Sequence, residues 1–175
     1  MRGDLHQMII NKIGLLKPAK LQSKQKLYMV VLHHTAGPTI KSAEQTFLKE
    51  RPGLGYHYMI DVDGTCYQYF EPETATNHAV GYNQGTVSIS FVGGWKYGPV
   101  TEAQIHSVID LLNGHVLPGR DTIRYLTGHK HCSPGRKIDP RFKGEPANNI
   151  NLAIDKVQML EIAELTGLMF EPAPV

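Results

Sequence analysis

Residues 27–34 read LYMVVLHH. Leu27, Tyr28, Met29, Val30, Val31 and Leu32 form an unbroken apolar run, the pattern of a strand covered on both faces near the centre of a sheet. The run delivers two histidines, His33 and His34, to its C-terminal end, where an open α/β sheet forms its ligand crevice. Successive side chains on a strand point to opposite faces, so only one of the pair can face such a crevice. On this pattern alone, His33 reads equally as a ligand or as a satisfied buried polar residue.

Working outward, Ser42 and Gln45 have the spacing of a capping box, predicting a short helix to about Glu50, followed by the turn residues Pro52, Gly53 and Gly55. Tyr56–Ile60 and Thr65–Phe70 flank an Asp63-Gly64 turn and read as adjacent antiparallel strands. Thr86–Val92 is a further strand, closed by Gly93 and Gly94. After Pro99, the Thr101 to Gln104 spacing starts a helix with Ile105, Val108, Ile109 and Leu112 on one face. Ile123–Thr127 is strand-like, and Ile150–Leu165 reads as a last helix stopped by Gly167 and Pro172. The sum is an α/β fold, a single domain whose central mixed β-sheet is flanked by helices. Residues 1–26 are basic and interrupted by Pro18, so they read as an N-terminal arm or short helical lead-in to a domain spanning 27–175.

The chain has 175 residues, 41% hydrophobic and 19% charged, which suits one globular domain. Lys and Arg number 18 against 16 Asp and Glu, a net charge of +2, too even to favour nucleic acid as a partner. The most apolar N-terminal stretch, Met8–Ile13, is broken by Asn11 and Lys12, so neither membrane insertion nor an ordinary signal peptide is expected. Synthesis in the cytoplasm is the corresponding expectation. Two cysteines, Cys66 and Cys132, are too few for a disulfide scaffold.

Among the nine histidines, His6, His106 and His115 read as arm, surface or half-buried residues. A second chemical cluster is GHKHCSPGRKIDP, residues 128–140. His129 follows the strand-like segment, and Pro134 and Gly135 can turn the chain so that Asp139 returns to the same point. Fully extended, those ten residues would separate the two by about 30 Å. Two imidazoles and a carboxylate, His33, His129 and Asp139, make a three-ligand set for catalytic zinc that leaves a position for water. Lys137 could stabilise an oxyanion beside such a metal. By itself it reads more readily as a solvated loop lysine.

Four segments in order, VVLHHTAG (30–37), GLGYHYMIDVDG (53–64), NHAVGYNQGTVSISFVGG (77–94) and GHKHCSPGRKIDP (128–140), resemble the zinc-dependent N-acetylmuramoyl-L-alanine amidases. That family includes phage lysozyme-type amidases, peptidoglycan recognition proteins and muropeptide-recycling amidases. The resemblance spans roughly Leu27–Leu165 and implies an amidase/peptidoglycan-recognition-like fold with one Zn2+ held by His33, His129 and Asp139. It further implies Tyr56 and Lys137 as catalytic residues. His78 becomes a candidate substrate contact, and His34 and His57 candidate supports behind the ligands. Cys132 does not occupy a usual ligand position, although thiolate suits zinc. Recycling members carry a catalytic glutamate where Ser90 stands here, so Tyr56 resembles the lysozyme-type apparatus while Asp139 resembles the recycling ligand set. The implied activity is hydrolysis of the amide between N-acetylmuramic acid and L-alanine in bacterial peptidoglycan, as a phage endolysin reaching the cell wall with a holin. The alternatives are cytoplasmic recycling of muropeptides and a non-catalytic peptidoglycan-binding module.

Overall fold

The computed structural model describes residues 9–18, 26–49, 52–94, 97–132 and 156–170. Their strands are β1 (Ile9–Asn11), β2 (Met29–His34), β3 (Tyr58–Ile60), β4 (Cys66–Gln68), β5 (Thr86–Phe91), β6 (Tyr125–Gly128) and β7 (Met169–Phe170). The helices are α1 (Ile40–Lys49), α2 (Glu102–Leu111), a π-helical turn Leu112–Val116, the short α3 (His129–Cys132) and α4 (Lys156–Thr166). The strands form one sheet in the order β1-β4-β3-β5-β2-β6-β7. β3 and β4 are antiparallel, and the other pairs are parallel, which makes the sheet mixed as expected. Among these residues, no helix is long and apolar enough to cross a membrane.

Strand β2 is buried along its whole length, in keeping with its unbroken apolar run. Val30 and Leu32 join Val87, Ile89 and Phe91 of β5 in a core that also holds Ile105 and Val108 of α2 and Met159 and Ile162 of α4. Met29 and Val31 point the other way, where Ala79 and Cys132 cover them. Both neighbours of β2 run parallel to it, and the chain crosses from β5 to β6 by way of α2. The carboxyl ends of β5, β2 and β6 therefore meet at a switch in strand order, the usual place for a ligand crevice in such sheets.

The cap of α2 follows the sequence reading. Thr101 Oγ1 accepts from the Gln104 amide at 3.1 Å, and Gln104 Oε1 accepts from the Thr101 amide at 3.0 Å, an arrangement worth about 1 kcal/mol. The buried Gln104 also donates from Nε2 to the Ile60 and Val92 carbonyls. A carboxylate there would have no proton for either bond. Leu112, expected on the helix face, is buried but lies in the π-helical turn. At the far end of α4, Gly167 takes a positive φ of 69°. The Leu168 amide bonds the Ala163 carbonyl there, and the Gly167 amide bonds that of Glu164, a Schellman ending.

Other boundaries differ from expectation. α1 starts at Ile40, not after Ser42, because Thr39 is its cap. Thr39 Oγ1 accepts from the Ser42 amide, and Ser42 Oγ accepts from the Thr39 amide. The hairpin strands are shorter than predicted, leaving Tyr56 ahead of β3. Within the stretch expected as an arm or helical lead-in, Ile9–Asn11 pair with β4 as an edge strand. Leu16 is buried against Ile40, Met59 and Tyr69. Lys12 forms an ion pair with Glu44 of α1, and Glu44 also accepts from Tyr69. Residues 150–155 of the expected last helix, like Asp139 and Lys137, lie outside the described residues.

Candidate functional site

His33 is in register with Ser90 of β5, and Leu32 is in register with Gly128 of β6, immediately before His129. This places His33 and His129 side by side at the ends of neighbouring parallel strands. Their ring centroids are 4.5 Å apart, and both residues are buried. Tyr56 reaches the same point from the segment before β3, its ring 4.7 Å from that of His33. Phe47 of α1 meets the Tyr56 ring edge to face at 5.4 Å. Gly55 permits this approach. Its φ is 144°, and a Cβ there would lie 3.0 Å from Leu16 Cδ1.

His78 completes the group, with its Nδ1 3.0 Å from His33 Nε2. Asn83 Oδ1 accepts from the amides of His78 and Ala79, shaping the loop that presents the ring. An isolated bridge between Leu54 and Asn77 ties that loop to the segment bearing Tyr56. Both ring nitrogens of His78 are engaged within the protein, because Nε2 lies 2.9 Å from Thr86 Oγ1. Burial, reinforced by neighbouring His33, His57 and His129, holds its pKa well below the ordinary value of 6.5.

His57 and His34 stand apart from this group. The Ser88 amide donates to His57 Nδ1 at 2.9 Å, and His57 Nε2 donates to the Thr74 carbonyl at 2.7 Å. Burial pushes the His57 pKa down to about 4, although the Thr74 carbonyl opposes that change. His34 lies on the opposite side of β2. Its Nδ1 accepts from the Ala36 amide at 3.1 Å, and its ring is so close to Gly94 that a Cβ there would fall 2.4 Å from His34 Cγ. Cys132 is buried among Met29, Val31 and Ala79. Burial raises the Cys66 thiol to about 12, which suits an inert strand residue.

Among the described residues, no three His, Cys, Asp or Glu side chains are arranged to hold a metal ion. Of the three residues expected as ligands, His33 and His129 are adjacent buried imidazoles. They fit zinc by donor type.

A family model for N-acetylmuramoyl-L-alanine amidase matches residues 23–142. The chain belongs to this family. Peptidoglycan-recognition protein SC2 of Drosophila simulans is 32% identical over 142 residues, covering 71% of this chain and 77% of that protein. The endolysin amidase LysCS from Clostridium intestinale has a TM-score of 0.69 at 23% identity, with 93% of this chain and 97% of that one covered. Peptidoglycan recognition protein-LE, solved with tracheal cytotoxin, has a TM-score of 0.58 at 23% identity over 72% of this chain and 84% of that one. These two structures share the fold.

In this amidase-family chain, sequence reading missed the polar layer beneath the histidines. Thr86, Ser88 and Ser90 of β5 are all buried on the face shared with Met29, Val31 and His33. Thr127 of β6 is in register with Val31 and is also buried. Ser88 serves His57, and Thr86 serves His78. Ser90 Oγ and Thr127 Oγ1 are buried and make no hydrogen bond among the described residues. The signal was available in the alternation Thr86-Val87-Ser88-Ile89-Ser90-Phe91, which assigns one face to hydroxyls and the other to apolar side chains.

Proposed function

We propose that this protein hydrolyses the amide between N-acetylmuramic acid and L-alanine in bacterial peptidoglycan, using one zinc ion held by His33, His129 and Asp139. The observation that carries this reading is the meeting of His33, His129 and Tyr56 at the strand-end crevice of a chain belonging to the amidase family. When bound, zinc polarises a carbonyl and makes a nucleophile available from water near neutral pH.

The chain's own residues then divide the remaining work. His33 ends β2 and His129 directly follows the adjacent β6, so their rings need little reorganisation to bind a metal. Tyr56 orients the attacking water or hands a proton toward the leaving amine. Phe47 restricts the Tyr56 ring to this position. Lys137 stabilises the oxyanion of the tetrahedral intermediate through its positive charge. The substrate setting of this reading is the intact wall, reached as an endolysin with the help of a holin.

The test is mass spectrometry of products from purified sacculi and from soluble muropeptides, each incubated with and without zinc. The expected result is zinc-dependent release of peptides beginning with a free L-alanine amine from intact glycan strands. New reducing sugar ends without released amine overturn the bond assignment. Turnover of soluble muropeptides alone shifts the reading to recycling. Binding to sacculi without turnover on either substrate identifies a non-catalytic recognition module.

A further inference from the structure

The hydrogen bonds behind His33 run in one direction. Thr86 Oγ1 donates its only proton to the Tyr82 carbonyl at 2.5 Å, and a carbonyl can only accept. At its contact with His78 Nε2, 2.9 Å away, the Thr86 oxygen must therefore accept, which places a proton on His78 Nε2. A neutral imidazole with a proton on Nε2 presents a lone pair at Nδ1. That Nδ1 faces His33 Nε2 at 3.0 Å, so His33 Nε2 must be the donor there. The remaining lone pair of a neutral His33 is then on Nδ1.

We propose that Thr86 and His78 are positioning residues that fix His33 in its Nε2-protonated tautomer and commit its Nδ1 lone pair to the metal. This inference rests on the zinc reading above. It gives His78 a role other than substrate contact, since both of its nitrogens are already used. The unit Tyr82 carbonyl, Thr86 hydroxyl, His78 and His33 supplies the support a metal-bound imidazole needs, where the hydrogen bond at one ring nitrogen sets the tautomer and orientation of the other. Burial keeps the unit in one arrangement. His33 is fully buried, and Thr86 and His78 are 2% and 8% exposed, so water has little access to offer either ring another partner.

Weakening the first link should weaken the rest. In Thr86→Val, His78 Nε2 loses the hydroxyl acceptor, and only the Tyr82 carbonyl remains beside the ring, so the tautomer with the proton on Nδ1 gains population. From there it donates to His33 Nε2 and drives the His33 proton onto Nδ1, where it blocks metal binding. Thr86→Ser keeps the hydroxyl and should keep the wild-type tautomers.

Two measurements test the chain. Nitrogen-15 correlation spectra of the zinc-free wild type should show His33 protonated at Nε2 and unprotonated at Nδ1. Competition against a chromophoric chelator should show zinc affinity falling about ten- to a hundredfold in Thr86→Val, with recovery in Thr86→Ser. Circular dichroism checks that each variant is folded. Should Thr86→Val fail to fold, the wild-type spectrum and the pair His78→Asn and His78→Ala carry the test. Asparagine can place an acceptor near the Nδ1 position, so His78→Asn should bind zinc more tightly than His78→Ala. A His33 proton found on Nδ1 in the wild type overturns the proposal, as does equal zinc affinity of folded Thr86→Val and wild type, or of the two His78 variants. A wild type that binds no zinc overturns the zinc reading itself, which is a separate outcome from wild-type binding with unaffected variants.

Discussion

Lowering the pH of the zinc-free protein should expose the cost of burying His57 as a neutral ring. Its Nδ1 accepts from the Ser88 amide, and its Nε2 donates to the Thr74 carbonyl. A second ring proton would therefore point at an N–H that already points at the ring. The folded-state pKa is about 4, against an ordinary 6.5. In the unfolded chain His57 takes up a proton as the pH falls through 6.5, while in the folded chain it does so only near 4. The contribution is fully present above pH 6.5 and is lost progressively toward pH 4, by about 3 kcal/mol in total. Urea unfolding of wild type and His57→Gln at several pH values between 7.5 and 4 isolates this effect, because the other histidines contribute to both proteins. At pH 7.5 the variant should be less stable, having lost well-formed buried hydrogen bonds. The two stabilities should converge as the pH falls. A gap between them that stays constant over this range refutes the reasoning.

Gly94→Ala combines a φ of 75° with a Cβ only 2.4 Å from the His34 ring, so it should destabilise the fold by about 2 kcal/mol or more, read as a lower thermal midpoint. Tyr56→Phe should retain zinc content and circular dichroism while turnover on peptidoglycan falls about a hundredfold; unchanged turnover would remove Tyr56 from the proton-transfer role. His129→Ala should fold but lose stoichiometric zinc, checked by metal analysis after gel filtration. Lys137→Ala should keep its zinc and lose about a hundredfold in turnover, and wild-type rates in the folded, zinc-loaded variant would make it a solvated loop residue.

Those parts of the fold were legible where one local signal outweighed its competitors. The run from Leu27 to Leu32 could hardly be anything but a central strand, and Thr101 with Gln104 had the full chemistry of a capping box. α1 was misjudged because two spacings overlap, Thr39 to Ser42 and Ser42 to Gln45, and the one used has serine where glutamine is the stronger signal. β1 left almost no trace. Its three residues are too few for periodicity, and what holds them is the edge of β4 and the contact between Lys12 and Glu44, neither of which is local in sequence. For the site, residue type and strand end pointed to His33 and His129. The partner of His33 was less visible, since nothing local in NHAVGYN shows that His78 turns both nitrogens toward protein groups.

The alternation of β5 explains why the crevice and the core depend on the same register. Val87, Ile89 and Phe91 enter the core shared with α2 and α4. On the other face, Thr86 meets His78, Ser88 meets His57, and Ser90 lies in register with His33. A slip of one residue between β5 and β2 would exchange the two sets. Three hydroxyls would enter an apolar core without assured partners, and three large apolar side chains would come to lie beneath buried imidazoles. Each exchange carries a desolvation or packing cost on the scale of kcal/mol. The polar groups that orient the histidines therefore also specify the pairing that places them. A single replacement of similar shape, as in Thr86→Val, leaves Ser88, Ser90, Val87, Ile89 and Phe91 to hold the register, while the hydrogen bond between the Thr86 hydroxyl and His78 is lost.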